Sequence, residues 1–429
     1  MASIFLILSL GQPLALADTL DLETITQQAI ERSFALKIAQ VDVKIGKVSE
    51  KVVKADYYPT IKASLNMERL KSFQSQVQPV VAVNNTVLPY GTRFQNSVGV
   101  NAQYNLLDFG IRKRKLNMAQ QETHVKAAVY FQALRDLRLK LIDLYADALS
   151  SYRMIQANEA ILKLAQRGYQ LKKRLYTAGT HSKVDVAEEA VQVAQAMDTI
   201  QVYREKLAEQ LENLAYYTHE TYDPQSVDLT DFQAEETNLP VGPANLENSP
   251  EARQLDAQIQ EKQAEIEMLQ RQYLPQVSLY SYYNMYGSDT NSWSKSIGNL
   301  AQRTVSLGLN VNLPLFDGFK NQANIQKAKL EQEKLRLQKE EKLAQLSQQV
   351  RLYQSQVEGQ GVTLKTKATL INSTQDKLNL VERLSDQQVV DQGQLIKEHI
   401  ARIQKQVDAE KVMIEQLAAL KKLKILAEG

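Results

Sequence analysis

The chain changes its hydrophobic period at its prolines. Directly after Pro59, Ile61, Ala63, Leu65 and Met67 alternate with Lys62, Ser64, Asn66 and Glu68, a period of two that sends apolar groups to one face of a strand and polar groups to the other. The rule returns with Val98, Val100, Ala102 and Tyr104 against Ser97, Gly99, Asn101, Gln103 and Asn105. After Pro275, Val277, Leu279, Tyr283 and Met285 oppose Gln276, Ser278 and Asn284; later, Val305, Leu307, Leu309, Val311 and Leu313 oppose Ser306, Gly308, Asn310 and Asn312. The spacing predicts four strands, each with a thin apolar face and an amide- and hydroxyl-rich one. A half-exposed sheet in water alternates in the same way. Four strands of about ten residues, flanked by Tyr57, Tyr58, Tyr90, Phe94, Tyr104, Tyr273 and Phe316, also meet the length and aromatic-girdle expectations of an outer-membrane barrel.

Helical runs separate the strands. Residues 29–57 are helix-forming, with Gly46 as the one breaker, and stop before Pro59, because proline disfavours helix in the residue ahead of it. Pro250 to Tyr273 repeats this before Pro275. From Ile111 to about Tyr176 there is no proline and only Gly168 breaks the run; about Phe319 to Leu384 is again proline-free, with Gly359 and Gly361 near its middle. Helices of that length span ~100 Å at about 1.5 Å per residue. Within the first, Leu134, Leu137, Leu141, Leu144, Ala148, Tyr152 and Ile155 follow the three-four spacing of a coiled-coil seam. Each long run is followed by a turn and a medium helix, about 184–217 and about 394–427. A pre-proline helix of roughly 28 residues and a medium helix of roughly 35 together match the rise of the long one. Two shorter helices can therefore stack end to end beside one long antiparallel helix.

The plan occurs twice. Tyr57-Tyr58-Pro59-Thr60-Ile61, Ser97-Val98-Gly99-Val100-Asn101 and Leu106-Leu107-Asp108-Phe109-Gly110 are answered by Gln272-Tyr273-Leu274-Pro275-Gln276-Val277, Ser306-Leu307-Gly308-Leu309-Asn310 and Leu315-Phe316-Asp317-Gly318-Phe319. Such self-similarity fixes the architecture before any local reading does. The first repeat is read as 18–218 and the second as 249–429, with 219–248 as an irregular, proline-broken connector that admits a short strand at Val227-Asp228-Leu229. The strand-connecting stretches 71–93 and 287–303 are long and polar, as outward-facing barrel loops are.

Composition narrows the chemistry. Lys+Arg 51 against Asp+Glu 49 leaves a formal charge of +2, with no surplus to suggest nucleic acid. Cysteine is absent, which removes disulfides, zinc-thiolate sites and a lipid acceptor. Ile4-Phe5-Leu6-Ile7-Leu8 and Ala15-Leu16-Ala17 read as an export signal over residues 1–17, cleaved before Asp18. No Lys or Arg precedes that apolar run, so an upstream start or a buried first helix stands beside this reading. No other stretch approaches the roughly 18 to 20 apolar residues of a spanning helix. His219-Glu220-Thr221-Tyr222-Asp223 lacks the second His of a zinc-protease helix, His124, His181 and His399 are scattered, and no phosphate-binding Gly loop is present. Arg112-Lys113-Arg114-Lys115 reads as a solvated cluster where strand meets helix. No catalytic, cofactor or metal site is expected, so energy must come from a partner.

Four strands cannot close a barrel, and open edges in lipid cost several kcal/mol for each unpaired group. The chain must therefore oligomerise. Two copies would give eight strands and a filled interior, whereas three give twelve and begin to leave a lumen. The polar inner faces need a wet interior, which favours three.

The duplicated plan, the proline strand starts, Leu315-Phe316-Asp317-Gly318 and Arg174-Leu175-Tyr176-Thr177-Ala178-Gly179-Thr180 resemble the TolC family of outer-membrane efflux and secretion factors over about residues 20–427. The resemblance implies a mainly α protein with a transmembrane β-barrel: duplicated α-helical hairpins forming a trimeric α-barrel, topped by a 12-stranded β-barrel with four strands per protomer. It implies an exit duct of a tripartite efflux pump or type I secretion system in the bacterial outer membrane, extending into the periplasm. Its partners would be its own copies, outer-membrane lipid, a periplasmic adaptor (membrane fusion) protein and an inner-membrane transporter. Gly179 suits the left-handed stop of a helix, and Thr180 and Ser182 can cap the next, with Asp185 in its first turn. These residues also make an ordinary turn. In the family such turns form the periplasmic tip, so Ala178, Gly179 and Thr180, with Gln388 and Val389 on the second hairpin, are the expected docking residues. The second hairpin departs from the pattern: Gln388 stands where Gly179 does, Gln394 where Asp185 does, and Lys397 where relatives carry a second aperture acid. Asp185, Asp391, Gln394 and Lys397 are the candidate aperture residues, with Asp386 a further acid nearby. The competing reading is a soluble, elongated coiled-coil scaffold, which explains the helices but not the duplicated amphipathic strands.

Overall fold

A computed structural model describes residues 19–70, 81–83, 86–88, 94–232, 246–387 and 389–428. The expected export signal, Tyr90, Gln388 and the prolines at 240 and 243 lie outside the described residues. The first half runs β1 (Thr19–Leu20), α1 (Leu22–Arg32), α2 (Phe34–Lys54), β2 (Thr60–Arg69), β3 (Val81–Val83), β4 (Thr86–Leu88), β5 (Phe94–Leu107), α3 (Ile111–Thr177), α4 (Lys183–Thr218) and β6 (Asp228–Leu229). The second runs α5 (Pro250–Arg271), β7 (Gln276–Asp289), α6 (Trp293–Gly298), β8 (Gln302–Asn312), α7 (Lys320–Asp386) and α8 (Gln392–Glu428). All four strands, both long helices and both medium helices expected from the pattern form. The chain divides into two compact units, Val41–Ala127 with Arg253–Glu340, and the remainder. Each unit takes material from both halves of the duplication.

In the unit of Val41–Ala127 and Arg253–Glu340, an antiparallel four-stranded sheet has the order β2-β5-β7-β8. Its register keeps the two faces apart. Ala63, Val100, Tyr283 and Val305 lie opposite one another on one face, and Ser64, Gly99, Asn284 and Thr304 on the other. The aliphatic face is bare: Ile61, Val305 and Leu307 are 70%, 74% and 73% exposed. This inverts the usual arrangement of a water-soluble sheet, in which the apolar face packs on a core.

The duplicated Asp-Gly turns explain how strand becomes long helix. Phe109 and Gly110 both have positive φ (50° and 88°), as do Gly318 and Phe319 (69° and 64°), a reversal that leaves the first helical N–H groups needing acceptors. Asp108 supplies them in the first copy, accepting from the Gly110 and Arg112 N–H groups at 3.0 Å each. Asp317 does so in the second, accepting from the Asn321 N–H at 2.9 Å. Asn321 in turn donates to the Leu269 carbonyl at 2.8 Å, tying α7 to the end of α5.

The other unit is a helical core. Leu137, Leu141, Leu144, Ala148 and Ile155 of α3 are buried in one cluster with Leu207, Leu211 and Leu214 of α4, while Leu134 and Tyr152 pack at its edge, as the seam spacing predicts. Tyr145 is fully buried there, and its hydroxyl donates to the Leu20 carbonyl at 2.9 Å, fixing β1 where it pairs in parallel with β6. Burial pushes that phenol up to about 12. Arg135 of α3 and Glu251 at the start of α5, both nearly buried, form a two-pronged ion pair.

Three details differ from the sequence expectation. The first helix starts at Leu22, capped by Asp21, and breaks at Ser33, so that α1 lies against α4. There Arg32 donates to the Thr218 carbonyl at 2.8 Å and the Phe34 and His219 rings meet at 4.7 Å. Gly46 and Gly168 do not interrupt their helices. A Cβ would lie 3.0 Å from Thr123 Oγ1 at Gly46 and 2.9 Å from Glu189 Oε2 at Gly168, so the glycines allow close approach instead of ending a helix. The stretch 287–303 is not a plain loop: β7 runs to Asp289 and α6 packs on the sheet through Ser296, whose hydroxyl donates toward the Phe94 and Gly287 carbonyls and accepts from Asn96. The polar composition that suggests a loop supplies these bonds.

Candidate functional site: the paired hairpin ends

The first hairpin, α3 to α4, turns within a few residues. The Ala178 N–H donates to the Arg174 carbonyl and the Thr180 N–H to the Leu175 carbonyl, each at 3.0 Å. Gly179 takes φ +79°, with nothing within 4 Å of where its Cβ would be. The Thr180 hydroxyl adds a second bond to the Leu175 carbonyl at 3.0 Å, so the last carbonyls of α3 are satisfied as helix ends require. Ser182 then caps α4 through a complete capping box with Asp185. Ser182 donates to Asp185 Oδ2 from its N–H at 2.8 Å and from its hydroxyl at 2.9 Å, and Asp185 returns an N–H at 3.2 Å. Those bonds hold the Asp185 carboxyl below its ordinary range. The carboxylate expected at an aperture is thus committed to the cap.

The second hairpin, α7 to α8, closes differently. The Val389 N–H donates to the Leu384 carbonyl at 2.9 Å and the Gln394 N–H to the Asp391 carbonyl at 2.9 Å. Asp391 is the acid that matters here. Lys172 of α3 reaches across to it at 3.0 Å and stands 3.1 Å from His181 Nε2. Burial works against ionisation of Asp391, but the Lys172 bond, the Gly393 N–H and the neighbouring cation outweigh it and lower the carboxyl. Gln394 donates to Glu398 at 2.7 Å, and Glu398, buried, also pairs with Lys377 at 2.7 Å. Lys397 is exposed and makes no ion pair among the described residues.

The structure joins the two hairpin ends through Lys172, which reaches Asp391; Ala178, Gly179, Thr180 and Asp185 stay within the first turn and Val389 within the second, while Gln394 turns to its own helix. Lys172 is the cross-hairpin contact that sequence spacing misses, since its partner lies 219 positions away. Beside the ends, Lys163, Arg167, Tyr169 and Arg174 of α3 border an open groove of about 860 Å³ with Val193 and Ile396, and no acid lines it. Tyr176, Val184 and Val389 stand exposed at 47%, 64% and 68%, an apolar fringe of the kind that marks interaction surfaces. Among the described residues no group of His, Asp and Glu could hold a metal ion.

The pattern of the outer membrane efflux protein family matches residues 25–218 and 242–390. Among curated proteins, the cation efflux system protein CusC of Escherichia coli O157:H7 is 22% identical over 326 residues, 75% of this chain and 67% of that one. The probable efflux pump outer membrane protein TtgC of Pseudomonas putida is 22% identical over 380 residues, 84% of this chain and 73% of that one. A crystal structure of CusC superposes with a TM-score of 0.80 at 16% identity, covering 98% of this chain and 95% of that one.

Proposed function

Because this chain belongs to the outer membrane efflux protein family, we propose that three copies close a twelve-stranded barrel and that their hairpin ends dock a periplasmic adaptor fed by an inner-membrane transporter. The protein is an outer-membrane efflux channel, of a family of ducts rather than enzymes. The trimer reading rests on one observation: the sheet bares its aliphatic face, and β2 and β8 are its edges. In lipid the bare face is solvated and the edges are intolerable, so β8 of one copy pairs with β2 of the next. Alternation along the four strands makes that pairing antiparallel.

The helices support the same partner. Phe34, Ile38, Val41, Ile45, Val48 and Val52 are all exposed along α2, at the alternating four-three spacing of a coiled-coil seam. Leu330 and Leu337 of α7 are exposed one heptad apart. Since α2 leads into β2 and α7 follows β8, the strand pairing that closes the barrel sets these two stripes against each other. At the hairpin ends, Ala178, Gly179, Thr180 and Val389 form the docking surface for the adaptor. The aperture charge is Asp391, partly neutralised by Lys172, with Lys397 nearby, so the opening is less cation-selective than a double ring of acids.

Light scattering of the detergent-extracted protein, together with planar-bilayer recording, tests this. Three chains per particle and small conductance steps are expected. A monomer that stays soluble without detergent and never conducts would leave only the coiled-coil scaffold.

A further inference from the structure

Resting on the reading that the polar face of the sheet lines a wet lumen, we propose that Tyr280 and Tyr282 form a stacking platform there that binds planar aromatic cargo in transit. The two rings lie stacked on β7, with planes 8° apart and centroids 6.3 Å apart. Their rows are wholly polar elsewhere: Thr60, Gln103 and Gly308 align with Tyr280, and Lys62, Asn101 and Ser306 with Tyr282. Tyr280 is 38% exposed. A polar face that carries water or ions needs no aromatic rings, and two nearly parallel rings offer a flat ligand π-faces of one orientation. What such a surface selects is a flat ring of matching width, by stacking and, for cations, by attraction to the ring quadrupole.

Gly308 positions the platform. A Cβ there would fall 2.5 Å from Tyr280 Cζ and its hydroxyl oxygen, so only glycine lets that ring lie over β8. Covering a glycine on an edge strand is itself a way for an aromatic residue to stabilise a sheet, which gives Tyr280 a structural role as well. Tyr282 faces Asn101 and Ser306 and has no glycine to cover, yet it holds the parallel orientation. Tyr286 shares the polar face but is 2% exposed and cannot join. Tyr283, on the same strand with 39% exposure, projects to the opposite, aliphatic face and provides an internal control.

The test is planar-bilayer recording of the full protein with 9-aminoacridine, a planar aromatic cation, against tetraethylammonium, a non-planar cation of the same charge. Acridine is expected to produce resolvable blocks that tetraethylammonium does not. Mean block duration should fall about tenfold in Tyr280→Ala and in Tyr282→Ala, as for the loss of one aromatic stacking partner, and remain at parent values in Tyr280→Phe and Tyr283→Ala. Gly308→Ala should shorten the blocks with both rings still present. Unblocked conductance like the parent's shows that each variant is folded. Equal block by the two cations, or blocks insensitive to both tyrosines, overturns the platform while the channel stands. No conductance from the parent overturns the lumen placement and the platform with it.

Discussion

The two hairpin ends join helices of matched length, 67 to 36 residues in the first and 67 to 37 in the second, but they are stabilised by different means. The first is self-contained: Gly179 supplies the left-handed turn, and Ser182 and Asp185 satisfy each other and the start of α4. The second shows no such box. Asp391 receives one backbone N–H and one cation, and the cation comes from the other hairpin. The first end draws its cap from its own residues alone, whereas the second adds to its local bonds a cation borrowed from its neighbour. Lys172 of the first hairpin is thus the cross-hairpin restraint on Asp391 and the start of α8.

The largest effect should come from attacking the self-contained end. Gly179→Ala forces a residue with a Cβ into φ +79°, at a cost of about 1–2 kcal/mol. Nothing stands near the new methyl, so the cost is purely conformational and local. Hydrogen exchange at 176–186 should rise by about tenfold at the midpoint of that cost, with 389–396 unchanged. Ser182→Ala should follow at about 1 kcal/mol, typical of a lost N-cap, with the same confinement. A spread of either effect into the second hairpin would show that the first is not self-contained.

Lys172→Met sharpens the contrast from the other side. Lys172 is 14% exposed and Asp391 46%, so solvent screens one partner and the pair should be worth less than about 1 kcal/mol. Exchange at 389–396 should rise about threefold, within the range that such a loss permits. Residues 176–180 should keep parent rates, because their bonds to Arg174, Leu175 and Tyr176 do not involve Lys172.

The same division between local and borrowed order separates what the sequence discloses from what it hides. The strand faces, both long helices and the α3 seam were legible because each depends on a period written within one segment. So was the first turn, whose glycine and serine act on backbone within a few positions. The break at Ser33 escaped notice because α1 answers to α4, a distant segment. Gly46 and Gly168 read as breakers because the residues they approach, Thr123 and Glu189, lie on other helices. The Asp185 carboxylate was legible as a first-turn acid, and that position gives it its bonds to Ser182. Lys172 carries no signal within its own segment. Only the fold brings Asp391 to it.

The smallest effect is the most discriminating, and it lies in pH. Asp185 and Asp391 both have carboxyls held below their ordinary range. A depressed folded value means that each contributes its full stabilisation above the unfolded value of about 3.9 and loses it as pH falls through the lower, folded value. Neither carboxyl should therefore contribute a response between about pH 7 and pH 5, well above that range, and the stabilisation each supplies should be lost only in stronger acid. Their causes differ, however. The bonds from Ser182 dominate at Asp185, where Lys172 is the least of the influences; at Asp391, once burial has been overcome, the Lys172 bond leads. Side-chain carboxyl titration by NMR should find that Lys172→Met raises Asp391 clearly and Asp185 barely, and that Ser182→Ala, which removes the hydroxyl bond but keeps the N–H bond, raises Asp185 in part and leaves Asp391 in place. If both acids moved together in either variant, the ends would be one coupled cluster, and the restraint assigned to Lys172 would belong to the whole tip.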